Sequence, residues 1–188
     1  MKSIQADHKE ALSLAVEVIS NGGLIVYPTD TVYGLGADAT NDSAIQKLNK
    51  LKNRSGPMSV IAPDRNAVKN WVESSFLAWD LVKDKLGGKT TVIMPVKENV
   101  VSPLILGEDE TLGIRIPDHP FPIKLVNLLG FPITTTSVNR SGEPLYTDPK
   151  IIAANFSDNI DLIIDDGILS SEASAIYILE NNSLKTIR

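Results

Sequence analysis

The chain has 188 residues, of which 43% are hydrophobic and 22% are charged, as in an ordinary globular protein. These fractions exclude a disordered chain, a collagen-like repeat and a coiled coil, and no stretch reaches the roughly 18 apolar residues of a membrane-spanning helix. With no cysteine and a net charge of −5, the chain has no disulfide framework or thiolate zinc site, and as a whole it repels a nucleic-acid backbone.

The first quarter of the chain predicts a helix, a strand and a second helix, in that order. Apolar residues at helical spacing predict a helix over residues 7–20, which ends at a turn rich in glycine. The short apolar run at 24–28 predicts a buried strand, and the polar loop TDTVYGLG follows it. Asn41 or Asp42 is suited to cap the second predicted helix.

The rest of the chain alternates between predicted strands and helices. Apolar runs rich in branched residues predict strands at 58–62, 90–94, 112–116, 132–136, 161–165 and 175–179. Helical segments are predicted near 64–71, 75–86, 120–129 and 149–156. This alternation indicates one α/β domain over residues 1–188, with a mixed sheet and flanking helices. We expect it in the cytoplasm, without a membrane segment.

Polar segments follow several of these predicted elements, at positions where α/β sheets place ligands. Lys52 and Arg54 stand at the C-terminal end of the second helix and offer two cations for a carboxylate or a phosphate. Ser137 and Asn139 lie in a segment dense in hydroxyls and amides. Together these four residues predict a site for anionic small molecules. Arg115 interrupts a predicted strand, so it requires an anion, either a protein carboxylate or a ligand.

Other kinds of site find no support in the sequence. Gly88-Lys89-Thr90 resembles the end of a phosphate loop, but Lys83 stands where the first glycine is required and a strand follows instead of a helix. His8 and His119 have no partner at metal-ligand spacing, so no protein-held metal is predicted. A nucleophilic triad also lacks its signature, because the chain contains no GxSxG elbow and no cysteine.

In order and spacing, the polar segments resemble the YrdC/TsaC family from about Gly22 to the C-terminus. The matching motifs are a strand followed by PTDTVYGL, then KxR, then RIP beginning at Arg115, then SxNxSG beginning at Ser137. The resemblance implies a twisted open mixed sheet with a concave, positively charged cleft. It also implies a nucleotidyltransferase that joins L-threonine, bicarbonate and ATP, releases pyrophosphate, and serves the threonylcarbamoyladenosine modification of tRNA.

The same resemblance implies a role for individual residues. Those implied as catalytic are Lys52, Arg54, Ser137 and Asn139. Those implied to bind threonine are Thr29, Tyr33, Arg115, Ser137 and Ser174. Those implied to bind the nucleotide are Lys52, Arg54, Thr111, Asn139, Thr147 and Arg188. ATP would enter with Mg²⁺ carried by its triphosphate, and separate threonylcarbamoyl transferase proteins would act downstream.

Several segments depart from the usual family pattern and leave two alternatives open. The loop at 55–57 is two residues shorter, Val138 adds bulk beside the predicted site, and Ala175 replaces a residue with a hydroxyl. These changes are compatible with a paralogue that activates a different amino acid or carbamate. The second alternative is a non-catalytic module for structured RNA that uses the basic patch at 47–54. The net charge of −5 and the lack of an RNA-binding signature oppose it.

Overall fold

The strands form two mixed sheets in the computed structural model, which describes residues 1–72, 79–180 and 183–188. The strands are β1 (Lys2–Gln5), β2 (Ile25–Tyr27), β3 (Gly34–Gly36), β4 (Ser59–Ile61), β5 (Thr90–Pro95), β6 (Thr111–Arg115), β7 (Ile133–Thr134), β8 (Thr136–Ser137), β9 (Leu162–Asp165), β10 (Ala175–Glu180) and β11 (Ser183–Thr186). One sheet has the order β1-β9-β2-β3-β8 and the other has the order β11-β10-β5-β6-β4-β7. Both combine parallel and antiparallel neighbours.

Four of the described helices begin at a residue whose side chain accepts a hydrogen bond from the first turn. The helices are α1 (Ala11–Ser20), α2 (Asp42–Lys52), α3 (Arg65–Trp71), α4 (Trp79–Val82), α5 (Pro120–Leu129) and α6 (Pro149–Phe156). Asn41, Asp64 and Asp148 cap α2, α3 and α6 through side-chain oxygens. The helix predicted at 75–86 is seen only at α4, because residues 83–86 form a turn and a bend, and residues 75–78 lie outside the described part. In the described ranges, we find no helix with the length and apolar character needed to span a bilayer.

The strand predicted at 132–136 is divided between the two sheets. Its first part, β7, pairs with β4, and its second part, β8, pairs with β3 in the other sheet. Between them, the Thr135 amide donates a hydrogen bond to the Ser59 carbonyl at 2.7 Å. The mixed α/β class is confirmed, and the strands are distributed over two sheets instead of the single sheet that we expected.

The six-stranded sheet has two faces of different chemistry, because neighbouring residues of a strand point to opposite sides. Val92 and Ile114 belong to one face and join a buried core that also contains Val26 and Leu35 of the other sheet. Helices α1 and α5 cover the opposite side of the five-stranded sheet and form a second core. The remaining face of the six-stranded sheet, which carries Thr91 and other alternate residues of β5, β6 and β10, lines a cavity.

Candidate active site

The cavity has a volume of about 970 Å³, and the uncovered face of the six-stranded sheet forms its wall. The lining residues from this wall are Thr91, Ile93, Pro95, Thr111, Gly113, Arg115, Ser174, Ile176 and Ile178. The rim includes Gly34 of β3 and Ser137 of β8 from the other sheet, together with Arg54. A ligand in the cavity would therefore contact both sheets.

Below the rim, Lys52, Ser137 and Asn139 form one hydrogen-bond network. Lys52 is 3% exposed, and its ammonium donates to the Ser137 carbonyl at 2.8 Å and to Asn139 Oδ1 at 2.7 Å. Ser137 Oγ donates to the same Asn139 oxygen at 2.9 Å. Asn139 Nδ2 donates to the Glu143 carbonyl at 2.8 Å, which fixes the orientation of the amide. Three of the four residues predicted as catalytic are therefore in contact.

The fourth, Arg54, reaches the cavity because α2 ends just before it. Asn53 adopts a left-handed conformation with φ of 52°, which asparagine tolerates better than most residues. The Arg54 side chain then lines the cavity instead of continuing along the helix. Burial and, to a smaller extent, repulsion from Arg54 together lower the pKa of Lys52 to about 8. The positive charges of Lys52 and Arg54 are thus close enough to affect each other at this side of the cavity.

Arg115 lies on the cavity wall as a buried ion pair. Its Nη2 donates to Asp30 Oδ1 and, at 2.8 Å, to Thr31 Oγ1, so the required anion includes a protein carboxylate. Asp30 Oδ2 also accepts a hydrogen bond from the Asp118 amide at 3.0 Å. Arg115 Nε is buried and has no hydrogen-bond partner among the described residues. The Nε donor of the guanidinium is thus left for a ligand.

The cavity contains charges of both signs. Its lining includes the cations Arg54, Arg115 and Arg188 and the acids Glu108, Asp109 and Glu180. The Asp30 carboxylate further neutralises Arg115. The positively charged cleft that the resemblance implied therefore stays a prediction.

Other residues predicted for threonine and nucleotide also border the cavity. Ser174 is buried, and its hydroxyl contacts that of Thr91 at 3.0 Å. Arg188 donates from Nε and Nη2 to the Ser174 carbonyl at 3.2 and 3.1 Å. The Thr111 hydroxyl donates to the Glu108 carbonyl at 2.8 Å. These contacts hold one end of β6 and the start of β10 in place.

Thr29 and Thr147 are not among the residues that line the cavity. The Thr29 hydroxyl is buried, donates to the Val32 carbonyl at 2.7 Å and lies 3.0 Å from Thr31 Oγ1, so it shapes the loop that contacts Arg115. The Thr147 carbonyl accepts a hydrogen bond from the Leu169 amide. The predicted ligand contacts of both threonines stay predictions.

Tyr33 borders the cavity, but its hydroxyl is engaged with a neighbouring loop. It donates to the Gly167 carbonyl at 2.7 Å and accepts from the Asp166 amide at 2.8 Å. Burial raises the pKa of Tyr33 to about 12, so the phenol stays protonated at neutral pH. Its predicted role in threonine binding stays a prediction, and its observed contacts are structural.

Replacing Tyr33 by phenylalanine should destabilise the fold by about 1–3 kcal/mol, because two backbone groups at 166–167 lose their partner. Urea unfolding would measure this loss. Tyr177→Phe is the matched control, since the Tyr177 hydroxyl makes no hydrogen bond within the described ranges and its ring contacts Lys85. Equal stability of the two variants would contradict the assignment of the Tyr33 hydroxyl as a structural link.

Two departures from the family pattern prove to point away from the cavity. Val138 is 1% exposed and belongs to the core, so its bulk does not enter the site beside Ser137. Ala175 lies between Ser174 and Ile176, which both line the cavity, and alternation along the strand directs Ala175 to the other face. Neither change removes a group from the cavity wall.

The basic patch at 47–54 does not form one exposed surface. Lys52 is buried beneath Ser137, and the Lys47 ammonium donates to the Gly22 carbonyl at 2.9 Å. Lys47, Lys50 and Arg54 remain exposed. Fewer cations are therefore free to contact phosphates than the sequence suggested, which weakens the RNA-binding alternative.

Sequence reasoning missed several residues that shape the site. Asp30 and Thr31 hold Arg115, and only the general need of a buried arginine for an anion pointed to them. Thr91 has no signal beyond its place in a predicted strand. Gly113 lets β6 lie close to Ser59 in the wall. The Cβ of any other residue at this position would clash with Ser59 Oγ at 2.4 Å.

The fold and the site define an α/β protein with a small-molecule cavity that offers cations, hydroxyls and amides to an anionic ligand. Residues 17–188 match the model of the Sua5/YciO/YrdC family, described as "Telomere recombination". The chain belongs to this family, which confirms the resemblance read from the motifs.

Curated relatives and solved structures agree with this membership. The chain is 33% identical over 159 residues to the threonylcarbamoyl-AMP synthase of Bacillus subtilis, covering 83% of this chain and 46% of that protein. It is 32% identical over 187 residues to a Methanocaldococcus jannaschii protein provisionally given the same name, covering 98% of this chain and 87% of that one. Thus the chain spans about half of the Bacillus relative and most of the archaeal one.

The structure of Pyrococcus abyssi Sua5 complexed with L-threonine superposes with a TM-score of 0.87 at 28% identity, covering 100% of this chain and 56% of that one. Escherichia coli YciO gives a TM-score of 0.86 at 24% identity, covering 100% of this chain and 92% of that one. The likeness to YciO concerns the fold alone.

Proposed function

We propose that this protein is an L-threonylcarbamoyladenylate synthase, a nucleotidyltransferase that uses ATP, L-threonine and bicarbonate. The observation that carries the proposal is the convergence of Arg54, Arg115 and Ser137, distant in sequence, on one cavity with Lys52 beneath it. The relatives that carry the threonylcarbamoyl-AMP synthase name support it, as does the solved Sua5 complex with L-threonine.

The proposed reaction has two steps. The threonine amine combines with bicarbonate to form a carbamate, with loss of water. A carbamate oxygen then attacks the α-phosphorus of ATP, the bond from that phosphorus to the bridging oxygen breaks, and pyrophosphate leaves. Because the carbamate is a weak and labile nucleophile, the protein must hold it against the phosphate and limit the access of water.

The residues of the cavity suit this task. Arg115 Nε, a buried donor without a partner among the described residues, is suited to bind the threonine carboxylate. Arg54 and Lys52 supply positive charge for the triphosphate, where negative charge shifts to the leaving pyrophosphate. Ser137 Oγ donates its hydrogen bond to Asn139 Oδ1, so its lone pairs are free to accept a hydrogen bond from the threonine nitrogen.

The remaining substrate contacts and partners belong to the same proposal. Thr111 and Arg188 line the cavity and are our candidates for further contacts with ATP. Mg²⁺ would enter as part of the MgATP substrate, carried by the triphosphate. The product would pass in the cytoplasm to a separate transferase that modifies tRNA.

A pyrophosphate-release assay tests the proposal. The purified protein is incubated with MgATP, bicarbonate and one amino acid at a time, and release is expected only with threonine and only when bicarbonate is present. Release with a different amino acid would instead identify a paralogue with altered substrate. If folded protein released no pyrophosphate with any amino acid and bound RNA, the synthase proposal would be wrong.

A further inference from the structure

Two hydroxyls on the cavity wall form a pair that is incompletely hydrogen-bonded. Thr91 Oγ1 and Ser174 Oγ lie 3.0 Å apart, and the residues are only 3% and 7% exposed. In such a pair one hydroxyl donates to the other, so the second hydroxyl proton is left over. Neither oxygen has another hydrogen-bond partner within the described ranges. The pair can therefore both donate to and accept from a hydroxyl on a ligand.

The hydroxyl pair lies beside the arginine proposed to bind the amino-acid carboxylate. Thr91 of β5 is directly opposite Arg115 of β6, and on its other side it is opposite Ile176 of β10. Directly opposed residues on one face of an antiparallel pair have Cβ atoms about 4.5–5.5 Å apart. In an α-amino acid, only the α-carbon separates the carboxylate from the β-carbon. A carboxylate held by Arg115 would thus place the β-substituents near Thr91.

Resting on the function proposed above, we propose that Thr91 is a specificity-determining residue. With Ser174 it exchanges hydrogen bonds with the β-hydroxyl of the amino acid and thereby selects threonine over valine. Valine has the same shape but carries a methyl group in place of the hydroxyl. Its binding would cover two buried hydroxyls without completing their hydrogen bonds, and sites built to bind a substrate hydroxyl reject analogues that lack it.

The same contact also has a purely structural interpretation, in which it ties β10 to β5. In that case its loss would lower the melting temperature and weaken the binding of all amino acids by a similar factor. If the contact instead selects the amino acid, its loss must change the ratio of threonine affinity to valine affinity. Arg188 already anchors the Ser174 carbonyl, so the start of β10 keeps a second attachment when the hydroxyl contact is removed.

The experiment compares Thr91→Val, which keeps the shape and removes the hydroxyl, with Thr91→Ser, which keeps the hydroxyl. Calorimetry measures threonine and valine binding to the full chain without ATP, and pyrophosphate release measures turnover. We expect Thr91→Val to reduce the preference for threonine over valine by about tenfold or more, because one of the two hydroxyls is lost. Thr91→Ser should retain the preference, and KM for ATP should change little in either variant.

The outcomes separate this inference from the proposed function. A preference within twofold of the native value in folded Thr91→Val, or an equal loss for both amino acids, would overturn the role of Thr91. If Thr91→Val does not fold, Ser174→Ala removes the other hydroxyl and is judged by the same ratio. Native protein that prefers threonine in binding but releases no pyrophosphate would contradict the synthase proposal, and the binding ratio alone would then decide the role of Thr91.

Discussion

Replacing Arg115 by glutamine should both destabilise the protein and remove its response to threonine. The substitution leaves the Asp30 carboxylate buried without its partner, which typically costs about 3–5 kcal/mol of unfolding free energy. It also deletes the buried Nε donor proposed for the threonine carboxylate, so KM for threonine should rise by about two orders of magnitude. Urea unfolding and pyrophosphate release at varied threonine concentrations measure the two effects separately.

A second substitution separates stability from binding. Asp30→Asn combined with Arg115→Gln leaves no uncompensated charge, so it should recover much of the lost stability but not the affinity for threonine. Lys83→Gln is the surface control, because Lys83 and Asp80 form an exposed pair at 2.5 Å that contributes little. Recovery of threonine use in the double variant would show that Arg115 does not bind the carboxylate.

The sequence predicted most of the helices and the longer strands, because their apolar patterns are local. It missed β1, β3 and β11, which are short and in part exposed or glycine-rich. The division of the predicted strand at 132–136 was also not predictable. Nothing in five consecutive residues indicates that β7 and β8 pair with strands of different sheets, because that choice depends on β3 and β4.

For the site, the sequence identified residue types but not their exposure. The motifs placed Lys52 and Asn139 among the ligand-binding residues, while the structure buries Lys52 and uses Asn139 Oδ1 to accept from both Lys52 and Ser137. The sequence also did not indicate that the Tyr33 hydroxyl is hydrogen-bonded to the backbone at 166–167, which is distant in the chain. Such long-range contacts follow from tertiary packing, which a single sequence does not specify locally.

Replacing Lys52 by methionine should lower kcat/KM for ATP by about 10²–10³-fold, the range typical of a lost electrostatic donor. The lysine supplies a buried positive charge under the cavity and holds Ser137 and Asn139 through two hydrogen bonds. Because burial and Arg54 lower its pKa to about 8, the charge is present at neutral pH and is lost as the pH rises through that value. The native kcat/KM for ATP should therefore fall above about pH 8, since this parameter reports the ionisation of the free enzyme.

The pH profile tests the charge of Lys52 apart from its packing. Lys52→Arg keeps a positive charge throughout the range, because arginine is not deprotonated in proteins, so its profile should stay flat where that of the native protein declines. For Lys52→Met, kcat/KM for ATP should be low and independent of pH over the same range. This result distinguishes a missing charge from one that titrates. Saturation kinetics in ATP, measured from pH 7 to 9.5 at constant ionic strength and saturating threonine, give the three curves. A decline above pH 8 that persists in Lys52→Arg would assign the titration to another group and reduce Lys52 to a support for Ser137 and Asn139.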